Sequence, residues 1–257
     1  MIKFFRKIRQ NLLMENKTGN PALPAGRYMK YAIGEIILVV IGILIALSIN
    51  NWNESRKETV LEKKVLIELK KSLENNYNEM LQDSLKRVNW NRSSDIIIRV
   101  LYEKAEYNDS LNIHFHNARI PGTNLSLSTA GYEGLKNVGY NIISSDTLRN
   151  SIVELFEISQ KNLIEGMDYF ESFQPNRQTQ VDQLFSYEID KFDSNNPFSI
   201  PISPHNYNAL LDNKIYIAMV KSVKVQRNII GVILSRNLAE TKNVLTLLNA
   251  ELESMEN

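Results

Sequence analysis

The chain has 257 residues, 43% of them hydrophobic and 23% charged, which is enough to bury a core and excludes wholesale disorder. It contains no cysteine, so disulfides, thiolate metal centres, iron–sulfur clusters and cysteine nucleophiles are excluded together. The net charge of +1 hides an asymmetry: up to Lys30 seven cations face the single acid Glu15, about +6, which leaves about −5 for the rest.

Residues 1–30 read as a basic cytoplasmic arm. Ile2, Phe5, Ile8 and Leu12 recur at helical spacing, and Lys3, Arg6, Lys7 and Arg9 fill the other positions. That pattern predicts an amphipathic helix lying on anionic headgroups. Pro21 and Pro24, between Gly19 and Gly26, should break any helix before the next element.

Residues 31–52 form the next element, with Glu35 the single charge from Tyr31 to Ile49. Helix from Tyr31 to Trp52 is roughly 33 Å long, enough to cross a hydrocarbon core of about 30 Å. Tyr28 and Tyr31 mark one interface and Trp52 the other. Glu35 falls within a turn of the cytoplasmic end and can reach headgroup water. The denser group of cations precedes the span, while Arg56, Lys57, Lys63 and Lys64 after it are interspersed with acids. The positive-inside rule therefore puts the N-terminus in the cytoplasm. Ala46-Leu47-Ser48 resembles a signal-peptide cleavage site, but the preceding arm is far longer than an ordinary n-region. Gly42 and Ala46 make a small-xxx-small pair through which two spans could associate.

Several stretches are familiar as sequence. Ile8 to Lys17 (IRQNLLMENK), Tyr31 to Ile36 (YAIGEI), Val39 to Leu47 (VVIGILIAL) and Asn50 to Glu54 (NNWNE) resemble an uncharacterised family of bacterial single-span membrane proteins, a domain of unknown function. The resemblance covers about the first fifth of the chain, with Ser48 standing where a glutamine is expected. Tyr132 to Lys136 and Asp146 to Arg149 are loosely similar to members. The resemblance implies a single-span protein of a Gram-negative envelope; with the orientation set by the positive-inside rule, the expected location is the inner membrane with the C-terminal domain in the periplasm. The resemblance implies no activity.

The remaining residues, 53–257, read as an extracytoplasmic helical domain. Leu61, Val65, Leu66, Leu69, Leu73, Tyr77, Met80, Leu81, Leu85 and Val88 fall at intervals of three and four, and the pattern runs to about Lys104. No Gly or Pro interrupts the chain between Gly42 and Pro121, so span and stalk could be one helix of roughly 110 Å, with a bend possible at Asn91 to Ser94. Tyr107 to Leu127 is punctuated by turn residues, and Ile113-His114-Phe115-His116 alternates like a short strand or extended loop.

A short helix is expected over 129–138, stopped by Gly139, and another from the cap residues Ser145-Asp146 to Pro175. Val181, Leu184, Phe185 and Ile189 define one more. Asn195 to Pro204 is a proline-rich connection, with Ser203-Pro204 expected to open a short helix through Leu211. The last helix begins near Asp212. Its end carries Thr241, Leu245, Leu248, Leu252 and Met255 in a heptad seam, which packs against the first body helix or forms an intermolecular coiled coil. The fold class is all-α: one N-terminal transmembrane helix continuing into an antiparallel bundle with a short irregular or extended insertion.

Two places invite chemistry. In an extended segment His114 and His116 would project to one face, and His205 or Asp109 could complete a metal site for a metal-dependent hydrolase. The spacing identifies no third ligand. Tyr132, Glu133, Lys136 and Asp146 are polar enough to form a pocket, though helix caps and surface charge explain them equally well. Gly131, Gly134 and Gly139 do not match a nucleotide-binding glycine pattern. No residue is therefore assigned a catalytic, cofactor-binding or metal-binding role. The expected function is non-enzymatic binding, scaffolding or assembly at the membrane, with a sensor-like ligand-binding domain coupled to a partner through the span as the alternative. Expected partners are the bilayer, its anionic headgroups, an unidentified protein, and a second copy met through Gly42, Ala46 or the C-terminal helix.

Overall fold

The computed structural model of the protein describes residues 25–195 and 199–256, with side chains from residue 32 onward. The amphipathic helix expected over Ile2 to Leu12, the rest of the basic arm before Ala25, and the side chains of Tyr28 and Tyr31 lie outside that range. The chain divides into two compact units, Met1–Lys57 and Glu58–Asn257.

Helix α1 runs from Ala25 to Glu103 and begins directly after Pro24, a residue tolerated at a helix start but not inside one. The helix runs unbroken through Asn91 to Ser94, where a bend was expected. In the first unit its apolar stretch is bare: Ile36, Val39, Leu44, Leu47 and Ile49 are all exposed. This is the one helix among the described residues long and apolar enough to cross a membrane, and none of its apolar window is buried in protein. Ser48 Oγ donates to Leu44 O at 2.8 Å, so the hydroxyl in this oily stretch is satisfied within its own helix.

The second unit is a helical bundle. After α1 come α2 (Leu111–Ala118), α3 (Ala130–Val138), α4 (Asp146–Glu154), α5 (Lys161–Glu171), α6 (Gln174–Leu184), α7 (Tyr207–Leu211) and α8 (Lys214–Ser254). A π-helical stretch, Leu155–Gln160, joins α4 to α5. Strands β1 (Phe185–Tyr187) and β2 (Ile202–Pro204) pair antiparallel, with Ser186 opposite Ser203.

The frame is an antiparallel pairing of α8 with α1. Three polar contacts fix its register along the length: Lys63 to Glu256 at 3.0 Å, Asn91 to Asn228 at 2.9 Å and Lys104 to Asp212 at 3.0 Å. Three apolar clusters follow the same order. Leu66, Leu69 and Leu73 of α1 meet Val244 and Leu248 of α8 together with α3 and α4. Met80 meets Ile230, Leu234 and Leu163. Ile97 and Leu101 meet Tyr216, Met219 and Val220 together with α2, α6 and the small sheet. The heptad seam of α8 is thus used inside the chain: Thr241 and Leu248 are buried, and Leu245, Leu252 and Met255 pack against the first cluster.

Several local expectations are corrected. The segment around His114 is helix α2, not a strand or extended loop, because Leu111, Phe115 and Ala118 share one face and bury it. Pro175 opens α6 rather than ending the preceding helix, since a proline lacking an N–H fits the first turn. Phe185 and Ile189 leave the helix: Phe185 starts β1, and Ile189 begins a short 3-10 turn. Pro204 closes β2, and the cap of α7 is Asn206, whose side chain accepts from Ala209 N. The π-helical stretch has no counterpart in the sequence reading; it turns consecutive Leu155 and Phe156 both inward.

Candidate functional site

The neighbourhood of Tyr132 is closed. Its ring stacks on Phe156 with centroids 4.5 Å apart, and its hydroxyl meets Tyr140 Oη at 3.0 Å and donates to Glu157 Oε1 at 2.8 Å. Burial, then the bonds to Tyr140 and Glu157, push the phenol well above its ordinary value, so it stays protonated. Lys136 pairs with Glu133 at 3.2 Å, and Asp146 is taken by Arg149. The glycines here serve packing. A Cβ on Gly131 would lie 2.8 Å from the backbone of Glu68 and Leu69, and Gly139 ends α3 at φ +102°.

The histidines do not converge. Two residues apart on a helix they point about 200° away from each other. His114 Nδ1 meets Ser93 Oγ at 3.1 Å and burial lowers its pKa, while His116 is buried with Nδ1 3.4 Å from Arg119 Nη2. His205 lies beside the small sheet, Nδ1 3.2 Å from Ser186 Oγ. Among the described residues no group of three or more His, Asp or Glu is placed to hold a metal ion.

Two buried polar networks escaped the sequence reading. Asp83 and Arg87, one turn apart on α1, form an almost fully buried ion pair. Asp83 also accepts from Thr123, and Arg87 Nη1 donates to Pro121 O at 3.1 Å, so the pair ties the 119–129 segment to α1. Arg227 of α8 is buried without a carboxylate partner. Its guanidinium donates to Ser94 Oγ and to the carbonyls of Asn117 and Ala118, at the C-terminal end of α2 where the helix dipole is negative. Burial, reinforced by repulsion from Arg87, pushes its pKa down to about 10, so it remains a cation at neutral pH. The available signal was polar residues at core-facing spacing: Met80, Asp83, Arg87 on α1, and Val223, Arg227, Ile230 on α8.

An open groove of about 640 Å³ runs between α6 and α8. Phe173, Asn176, Arg177 and Gln180 line one wall at helical spacing, and Lys214, Ile215, Ala218, Met219, Ser222 and Gln226 the other. The lining holds two cations and no acid. Arg177 is nine-tenths buried and donates only long bonds, to Phe170 O at 3.3 Å and Gln226 Oε1 at 3.3 Å, while its Nε has no partner. Burial depresses its pKa, offset in part by Glu171, with which it makes no ion pair.

A model of the family of unknown function DUF6090 matches residues 35–171. The chain belongs to that family. The matched region takes in most of the apolar part of α1, the Asp83–Arg87 pair and everything through α5, and it ends before Arg227 and the groove-lining residues of α6 and α8. No curated protein and no solved structure matches the chain.

Proposed function

We propose that this member of DUF6090 is a non-enzymatic, single-span protein of the bacterial inner membrane, with its N-terminus in the cytoplasm and residues 53–257 in the periplasm as a binding or scaffolding module. The observation that carries this reading is the bare apolar stretch of α1. Large aliphatic side chains from Ile33 to Ile49 are exposed along successive turns, far beyond what a soluble surface tolerates, and lipid is the medium that accepts them. Supporting the module's role as a binder, its polar clusters are spent on structure: Asp83 with Arg87, Arg227 with the end of α2, Tyr132 with Glu157. Alkaline carbonate extraction of membranes tests the anchor. The protein should stay in the pellet, and release into the supernatant would refute the proposal.

A second reading, a ligand-binding domain coupled to a partner through the span, is favoured by one specific observation: the groove between α6 and α8, with exposed Phe173 and Ile215 at its walls. A sensor needs a partner on the cytoplasmic side and two populated states of the bundle. Crosslinking in intact cells, with and without candidate small molecules, should then reveal a ligand-dependent neighbour; a neighbour set that never changes favours the scaffold.

A further inference from the structure

We propose that the outer face of the α1–α8 hairpin docks on the same face of a second copy, giving a two-fold dimer whose centre is a four-helix bundle. The inference deepens the scaffolding reading and rests on its membrane anchor.

The inward faces of α1 and α8 are spent on the three apolar clusters, yet each helix carries a second stripe at heptad spacing. On α1 it is Leu81, Ser84, Val88 and Asn91; on α8 it is Asn228, Val232, Ser235 and Ala239. The two stripes lie side by side, because Asn91 Nδ2 donates to Asn228 Oδ1 at 2.9 Å across the hairpin. Val88 and Val232 keep 60% and 73% of full accessibility, and Leu81 is exposed as well. Covering them removes apolar surface from water.

The register makes this face self-complementary. With Asn91 opposite Asn228, Val88 is level with Val232, Ser84 with Ser235, and Leu81 with Ala239. Two copies anchored in one membrane by the same end of α1 share a two-fold axis parallel to the helices. That axis sets α1 of each copy against α8 of the other at the same level. Valine then meets valine, serine meets serine, and the bulky Leu81 meets the small Ala239. The asparagine layers of the two copies also meet, and buried amides of this kind fix register. Neither stripe holds a charge, so an acidic or basic partner gains nothing there, whereas a second copy matches it level by level.

The size is adequate. From Tyr77 to Asp95, where the Lys224–Asp95 ion pair closes one end, the face is about 27 Å long at 1.5 Å per residue and two helices, about 20 Å, wide. Two copies cover about 1,100 Å² in all, near the lower limit for a specific pair. Confinement to one membrane raises their effective concentration and lowers what the face itself must supply.

Because the chain has no cysteine, single introduced thiols can form disulfides only between copies. Full-length chains carrying Ser84→Cys with one tag and Ser235→Cys with another are co-expressed, and isolated membranes are oxidised with copper phenanthroline. A disulfide joining the two tags should form in about tenfold higher yield than with Lys86→Cys in place of Ser84→Cys. Lys86 is exposed on α1 but lies about 200° around the helix from Ser84. Val88→Glu and Val232→Glu alter side chains that are exposed in the single copy, so its core is untouched. Each should cut the yield about tenfold by burying a carboxylate in an apolar layer. No disulfide between tags, an equal yield from Lys86→Cys, or a yield that both glutamates leave unchanged would overturn the docking face. Carbonate extraction of the same membranes keeps the two failures apart. Chains that stay in the pellet without crosslinking refute the dimer alone, and chains released into the supernatant refute the anchor and the dimer with it.

Discussion

Replacing Gly131 by alanine should destabilise the bundle although alanine is the better helix former. Gly131 lies in the first turn of α3, where it packs against α1 so closely that its N–H donates to Ser72 Oγ at 3.2 Å. An added Cβ would meet Glu68 O and Leu69 Cα at 2.8 Å, and Leu69 N at 2.9 Å. These are backbone atoms of a long helix and cannot swing aside as a side-chain tip can. The two helices must separate, loosening Tyr132 and Leu135 from the cluster around Leu69. Overpacking of this kind costs about 1–3 kcal/mol, more than the helix-propensity gain of up to about 1 kcal/mol.

Gly231 on α8 supplies the opposite case, because nothing lies within 4 Å of a Cβ built there. Gly231→Ala should stabilise by about 0.5–1 kcal/mol. Thermal unfolding of the detergent-solubilised full-length chain, followed by far-UV ellipticity, reads both. At roughly 2–4 °C per kcal/mol for a domain of this size, Gly131→Ala should melt several degrees low and Gly231→Ala slightly high. A Gly131→Ala protein melting at or above the parent would refute the close approach of α3 to α1.

Other substitutions probe the buried polar groups. Asp83→Ala strands the Arg87 cation in the interior and should cost about 3–5 kcal/mol, checked by the same melt; a loss under 1 kcal/mol would mean the pair is hydrated. Tyr216→Phe removes a fully buried hydroxyl that has no hydrogen-bond partner among the described residues, and it should raise stability by about 1 kcal/mol in the melt. Burial holds the pKa of His114 below its ordinary 6.5, so its contribution is complete above that pH and is lost as pH falls through the folded value. Melting temperature should therefore decline from pH 7 downward, and His114→Gln should flatten that decline; an unchanged pH profile would show that His114 is hydrated in the folded state.

The parts of the fold legible in the sequence are those written in periodicity. The apolar run of α1, the inward face carrying Leu66, Leu69 and Leu73, the cap at Ser145 and the stop at Gly139 are local signals, and each lies where the pattern put it. What misled were segments where tertiary burial overrules local pattern. Ile113 to His116 alternates like a strand, yet the three-residue and four-residue spacings of Leu111, Phe115 and Ala118 decide for helix once α8 and β1 cover them. Pro175 and Pro204 were read with the wrong neighbour, since a proline marks a boundary without saying on which side the helix lies.

The candidate site was almost invisible for a different reason. Arg177 and Lys214 are far apart in sequence and ordinary one at a time. They come together only as lining residues of one open groove between α6 and α8. Arg227 and Asp83 were visible in principle as polar residues on apolar faces, a sign of a buried network rather than of chemistry.

The central claim, that one N-terminal helix divides a cytoplasmic arm from a periplasmic domain, is tested most directly by side-specific labelling. In the cysteine-free chain, single Lys17→Cys and Lys242→Cys variants are exposed to a membrane-impermeant maleimide in intact spheroplasts and again after lysis. Lys242→Cys should label in intact spheroplasts and Lys17→Cys only after lysis. The reverse pattern, or both thiols shielded until lysis, would contradict the account.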